Sequence, residues 1–357
     1  MTSDESASKI ARGFASSSYT KALFQFGNTL LLYVASIYLM FLLLPVSYGY
    51  VLAISLLATV AHVRLFMIGH DCAHQSYLPR TSWQNKALGS FVGVLTNTPL
   101  DYWGSQHLLH HQTVGNLDRR GYGDVDTLTT DEFEAKSFWS RVWYRIGRNP
   151  YVLMFIFAPI YFVIMLRYPF EQKQAPRKIW LSIMGTNLGM VFYYGGLIAL
   201  FGLTPVLLVF TPVVIMSSAI ATWLFYVQHQ FDEAYWERKE AWNYKDATLQ
   251  GSSFYNLPRW LHWATGNIGY HHIHHLNPKV PNYKLADCYE SDPMLQEGKS
   301  IKFWESFRLA KLALWDESNR RLISFAEFYR TREHPTLLRK LSNFWRGFFR
   351  GMNGNLS

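Results

Sequence analysis

The sequence predicts an all-α integral membrane protein: two transmembrane helical hairpins, making four spans, with interfacial helices and a cytosolic helical cap. Three observations predict it: two long stretches without a charged residue, a basic bias on their flanks, and histidines at helical spacing beside the ends of the stretches.

Residues 22–63 and 179–231 contain no Asp, Glu, Lys or Arg. A helix crossing ~30 Å of hydrocarbon takes about 20 apolar residues, so each stretch is long enough for two spans and a tight turn. The turns read as "PVSYG" (45–49) and "FGLTP" (201–205), which places spans at about 28–46, 50–69, 179–201 and 205–228. Neither turn carries Lys or Arg. The flanks do: Lys9, Arg12 and Lys21 precede the first hairpin, Arg64 and Arg80 follow it, and Arg167, Lys173, Arg177 and Lys178 precede the second. The positive-inside bias therefore turns both tips outward and leaves both termini in the cytosol.

A third apolar run, 151–167, is short for a span and has arginines on both sides (Arg141, Arg145, Arg148, Arg167), so it reads as an interfacial or re-entrant helix. The run 87–100 reads the same way. Residues 1–21, rich in Ser, are expected to be disordered, and no small-residue cleavage site follows the first apolar stretch. The membrane domain is taken as 22–285, and 286–357 as a basic cytosolic segment.

The mean hydropathy of -0.03 looks soluble because much of the chain lies outside the spans, and the net charge of +9 suits basic loops against anionic lipid. Nucleic acid is not an expected partner. Cys72 and Cys288 both fall on the reducing side, where no disulfide is expected.

Thirteen histidines remain to be explained. His70 and His74 stand in "HDCAH" (70–74), directly after the second span. His107, His110 and His111 stand in "HLLHH" (107–111), and His271, His274 and His275 in "HHIHH" (271–275). His229, in "YVQHQ", ends the fourth span. Spacings of three and four bring side chains to one helix face, because 3.6 residues make a turn. His272 is rotated about 100° from His271 and points elsewhere.

One such pair means little, but three boxes on one membrane face point to metal. A tetrahedral zinc site takes four ligands at most, so eight or nine imidazoles imply two ions. Zinc has no redox chemistry and iron does. A nitrogen-ligated pair where helix ends meet hydrocarbon points to oxygen activation on a long apolar chain.

At these residues the sequence resembles the membrane fatty acid desaturases, whose signature is three histidine boxes. The likeness extends through "NLDRRGYGDVDTLT" (116–129), "WLFYVQHQFDEAYW" (223–236), "QGSSFYNLP" (250–258) and "TGNIGYHHIHHLNPKVPNYKL" (265–285), and is similar to the bacterial acyl-lipid branch of Δ5 and Δ12 types. Box one carries Ala73 where many relatives carry Gly. The resemblance implies that His70, His74, His107, His110, His111, His229, His271, His274 and His275 ligate two iron ions in the cap. Box spacing alone gives eight of them, and His229 rests on the resemblance and its place at a helix end.

The resemblance further implies an O2-dependent enzyme of the bacterial inner membrane that puts a cis double bond into membrane-lipid acyl chains. Electrons would come from a separate carrier such as ferredoxin or flavodoxin, because no "HPGG" haem motif is present. The basic, aromatic stretch "RKLSNFWRGFFR" (339–350) could serve the membrane surface or that carrier.

Asp71, Asp101, Asp124, Asp232 and Asn267 are candidates to hold the second ring nitrogen of a ligand. Trp103 is the aromatic residue singled out near box two. His62 is expected to bond a neighbouring helix, Arg64 to snorkel to the surface, His262 to sit at the interface and His334 at the surface. Two other readings stay open here: a related lipid or carotenoid hydroxylase or ketolase, and a zinc transporter, which would need polar residues along the spans.

Overall fold

The computed structural model describes residues 3–79, 82–121, 125–170 and 174–331 and is mostly helical. After α1 (Ser3–Gly13), helices α2 (Tyr19–Leu43) and α3 (Tyr48–Ala73) form the first hairpin. Ser18 and Ser47 cap their starts by accepting the Lys21 and Gly49 amides. Helices α4 (Ser82–Leu95) and α5 (Leu100–Thr113) follow, then β1 (Leu128–Thr129) and the amphipathic α6 (Phe138–Gly147). The second hairpin is α7 (Arg177–Phe201) and α8 (Leu203–Val227), joined at Gly202, whose φ of +86° needs glycine.

Among the described residues, five helical stretches are long and apolar enough to cross a membrane: α2, α3, α7, α8 and Pro150–Arg167. The last is irregular, with a π turn at Leu153–Phe157 and a 3-10 turn at Met165–Arg167. Leu31, Phe192 and Leu200 on α2 and α7 stand exposed, as lipid-facing side chains would.

Between α4 and α5 the chain makes a buried turn, and three polar side chains converge on its backbone and on Asn97. His62 Nε2 donates to the Leu95 carbonyl (3.0 Å), Tyr194 to Asn97 Oδ1 (3.1 Å), and Arg167 to the Asn97 carbonyl. Arg167 also reaches Asn187 Oδ1 at 3.0 Å, ten residues inside α7. Polar groups here follow from geometry, since a turn in an apolar layer leaves carbonyls that something must satisfy.

The cap is not purely helical. Strand β1 pairs in parallel with β4 (Leu312–Asp316), which pairs antiparallel with β5 (Arg321–Ser324). Strand β2 (Phe254–Asn256) pairs in parallel with β3 (Ser300–Lys302). Leu309, Leu312, Trp315 and Leu322 join the core that covers the end of α8.

Three expectations are corrected. Residues 3–13, expected to be disordered, form α1, with Ala7 and Ala11 buried against Ile273 and Leu285. Arg64, expected to snorkel, is 3% exposed; it donates to Thr29 Oγ1 (3.1 Å) and the Trp263 carbonyl and stacks on the Trp263 ring. A cation with carbonyl, hydroxyl and π partners has no need of the surface. His262 is likewise buried, stacked on Phe254 and Tyr270. His334 and the stretch 339–350 lie outside the described residues.

Candidate metal centre

Four elements bring the histidines together. Helix α3 ends in His70 and His74, α5 presents His107, His110 and His111 along its last two turns, and His229 follows the last turn of α8. The short helix α9 (His271–Leu276) supplies His271, His274 and His275. All nine are 9% exposed or less.

Their ring nitrogens form two groups. In one, His70, His74, His107 and His274 each offer a nitrogen within 4.8 Å of the others; in the second, His110, His229, His271 and His275 do the same. His111 joins the first, its Nε2 lying 3.1 Å from His107 Nε2 and 3.0 Å from His274 Nε2, while its ring stacks on His275 across to the second.

The protons cannot account for these contacts. His70 Nδ1 donates to Asp71 Oδ1 (3.0 Å) and His229 Nδ1 to the Gly251 carbonyl (2.7 Å), so in the neutral rings both Nε2 atoms present lone pairs to the centre. His110 and His271 also turn Nε2 toward His229, at 3.2 and 3.0 Å. His74 Nε2 is buried without a hydrogen-bond partner. Burial and neighbouring imidazoles hold His107, His111, His271, His274 and His275 well below their ordinary pKa, and burial with His110 pushes His229 down to about 3. Converging imidazole nitrogens are a donor set for transition-metal cations, and the residues present fit two such ions.

The supporting residues divide. Asp71 holds His70 and is itself held: its Oδ2 accepts the backbone and side-chain N–H of Asn282 at 2.6 and 2.8 Å. Asn267 acts one step further out, donating to the Asn282 carbonyl. Asp101 and Asp232 do not support the site; the first pairs with Lys86 and Lys178, the second with Arg308. Asp124 lies outside the described residues. His272 stays apart, bonded to the Leu295 carbonyl, and burial lowers it to about 4.

Trp103 stacks on His107 with centroids 4.7 Å apart, and Phe225 packs on His110 at the same distance. Sequence reasoning missed Asn282 and Phe225. Both lie inside the stretches that carry the family likeness, but neither has a ligand's spacing to mark it.

Beside the histidines is a cavity of about 330 Å³ that touches His70 and His107 of one group and His271 of the other. Its other walls are mainly apolar and aromatic, including Phe66, Trp103, Leu153, Phe162 and Phe225.

The fatty acid desaturase family model matches residues 45–304, a span that includes all nine histidines. The chain is 42% identical over 317 residues to a fatty acid desaturase of Bacillus subtilis, covering 89% of each protein. It is 24% identical over 290 residues to an sn-1 oleoyl-lipid 12-desaturase of Synechocystis, covering 78% of this chain and 76% of that one. Similarity of 26% over 249 residues links it to an sn-1 acyl-lipid omega-3 desaturase (ferredoxin) of Nostoc, covering 64% and 63%. With two histidine groups fit for metal beside an apolar cavity, and a family match over most of its length, the chain belongs to the fatty acid desaturases and is an oxidoreductase.

Proposed function

We propose that the nine histidines hold two iron ions and that the enzyme introduces a cis double bond into the acyl chains of membrane lipids. One observation carries this reading: the apolar cavity reaches both histidine groups at once. Bound iron would supply the redox chemistry by which O2, two electrons and two protons take two hydrogens from adjacent methylenes and leave as two waters. The chain's own part is geometric. Trp103, Phe66 and Phe225 shape a slot for an unbranched chain, and burial of the site excludes bulk water.

Membrane-lipid substrates are supported by the acyl-lipid relatives, and a carrier protein as donor by the ferredoxin-dependent one. We read four spans, α2, α3, α7 and α8, with Pro150–Arg167 re-entrant and the histidines at the cytosolic face of a bacterial inner membrane. Basic residues at the start of α7 and the location of Arg167 beside Asn187 support that arrangement.

The test is the fatty acid profile of a desaturase-deficient host expressing this protein, with double bonds located by derivatisation and mass spectrometry. Wild type should give a new unsaturated peak that His110→Ala lacks. An unchanged profile with iron-loaded protein present would overturn the reading and favour the hydroxylase or ketolase alternative.

A further inference from the structure

Away from the histidines, α4 and α7 enclose a groove that the reaction does not use, with about 640 Å³ of open space. We propose that it binds an anionic phospholipid, with the phosphate at its rim and an acyl chain along its length. Lys86, Ser90 and Val94 recur at intervals of four and so form one stripe on α4; Lys178, Leu181, Ser182 and Gly185 form the facing stripe on α7. Each runs about 12 Å at 1.5 Å per residue. Both begin with cations near the helix N-terminus and become small or apolar further in. That is the order of charge along a lipid, from phosphate to chain.

The rim is built around one carboxylate. Asp101, whose side chain is 12% exposed, lies 3.3 Å from Lys86 Nζ and 3.0 Å from Lys178 Nζ, and its backbone N–H donates to Ser182 Oγ. Arg177 lines the same rim and has no acidic partner among the described residues. Among the described residues three cations therefore face one carboxylate, and the rim keeps a positive excess where headgroups lie. Further in, Gly185 leaves the groove open, since a Cβ there would meet nothing within 4 Å. At Gly189 a Cβ would lie 2.5 Å from Val94, so the two helices close together and end the groove.

The charge excess selects phosphatidylglycerol over phosphatidylcholine, whose own ammonium the rim would repel. Free phosphate could fill the rim but would gain nothing from the wall. The full-length protein, purified in detergent, is loaded with mixed phosphatidylglycerol and phosphatidylcholine, and retained lipid is counted by native mass spectrometry. Wild type should keep phosphatidylglycerol preferentially. Replacing Lys86, Arg177 and Lys178 by Ala should abolish the preference, at about fivefold per cation. Gly185→Leu keeps every cation and fills open space; it too should lose the lipid, and it carries the test if the triple variant does not fold. Equal retention by wild type and Gly185→Leu, or displacement of the lipid by millimolar inorganic phosphate, would overturn the proposal.

Discussion

At the scale of single residues, the site separates side chains that sequence places next to one another. His271 and His272 are adjacent, yet the first turns its Nε2 to His229 and the second bonds the Leu295 carbonyl. His271→Ala should lower bound iron, whereas His272→Ala should keep wild-type iron and cost about 1–3 kcal/mol of stability by leaving that carbonyl unpaired. Metal analysis beside thermal melting reads both. Asp71 makes a sharper case, because its two oxygens serve different partners. Asp71→Asn keeps an acceptor for His70 but sets an amide N–H₂ against the Asn282 donors. Loss of such a support costs about 10–100-fold in metal affinity, measurable as faster iron loss to a chelator. The spacing of three and four made the ligand faces legible in the sequence. Partners such as Asn282, 211 residues from Asp71, were not, since nothing local marks a contact made by folding.

At the scale of elements, the four apolar helices were legible because a charge-free run of that length has few other fates in water. The α4–α5 turn was legible only as a short apolar run. Its polar supports come from three other elements, and Arg167 ties the turn to Asn187 of α7. Arg167→Ala leaves the Asn97 carbonyl and Asn187 without their cation, and a fall in melting temperature of the detergent-purified protein should follow, from about 1.5–3 kcal/mol per hydrogen bond to a charged group. The same region bears on where a substrate stops. Phe66 and Phe162 meet edge to face with centroids 5.6 Å apart, and both line the main cavity and a smaller one beyond it that touches His62 and Ser217. Phe162→Ala should join the two, let the chain run deeper and move the double bond toward the carboxyl end, or favour longer chains. Derivatised product spectra would show it, and an unchanged bond position would place the stop elsewhere. The short strands escaped the sequence because β1 has two residues and finds its partner in β4, nearly the whole cap away along the chain. Helix α1 escaped because its order comes from packing Ala7 and Ala11 on the histidine layer rather than from its Ser-rich composition.

For the whole molecule, the contacts among histidines constrain how the chain crosses the membrane. His110 comes before Pro150–Arg167 and His229 comes after α8, yet their Nε2 atoms lie 3.2 Å apart. Two groups that touch are on one face, so the chain between them crosses an even number of times. On the proposed four-span reading α7 and α8 make two crossings, and a third by Pro150–Arg167 would carry His229 to the opposite face. Length and composition alone admit that segment as a span, but parity argues against it, as does Arg167 beside Asn187 rather than at a far surface. Single cysteines test the argument in intact cells, with native Cys72 and Cys288 buried and so shielded from reagent. Val46, at the α2–α3 tip, and Tyr151 and Phe170, at either end of the irregular segment, are all exposed. Val46→Cys should react with an impermeant maleimide added outside, while Tyr151→Cys and Phe170→Cys should react only after the membrane is opened. Outside labelling of Phe170→Cys alone would make the segment a true span, and His110 and His229 could not then meet in one group.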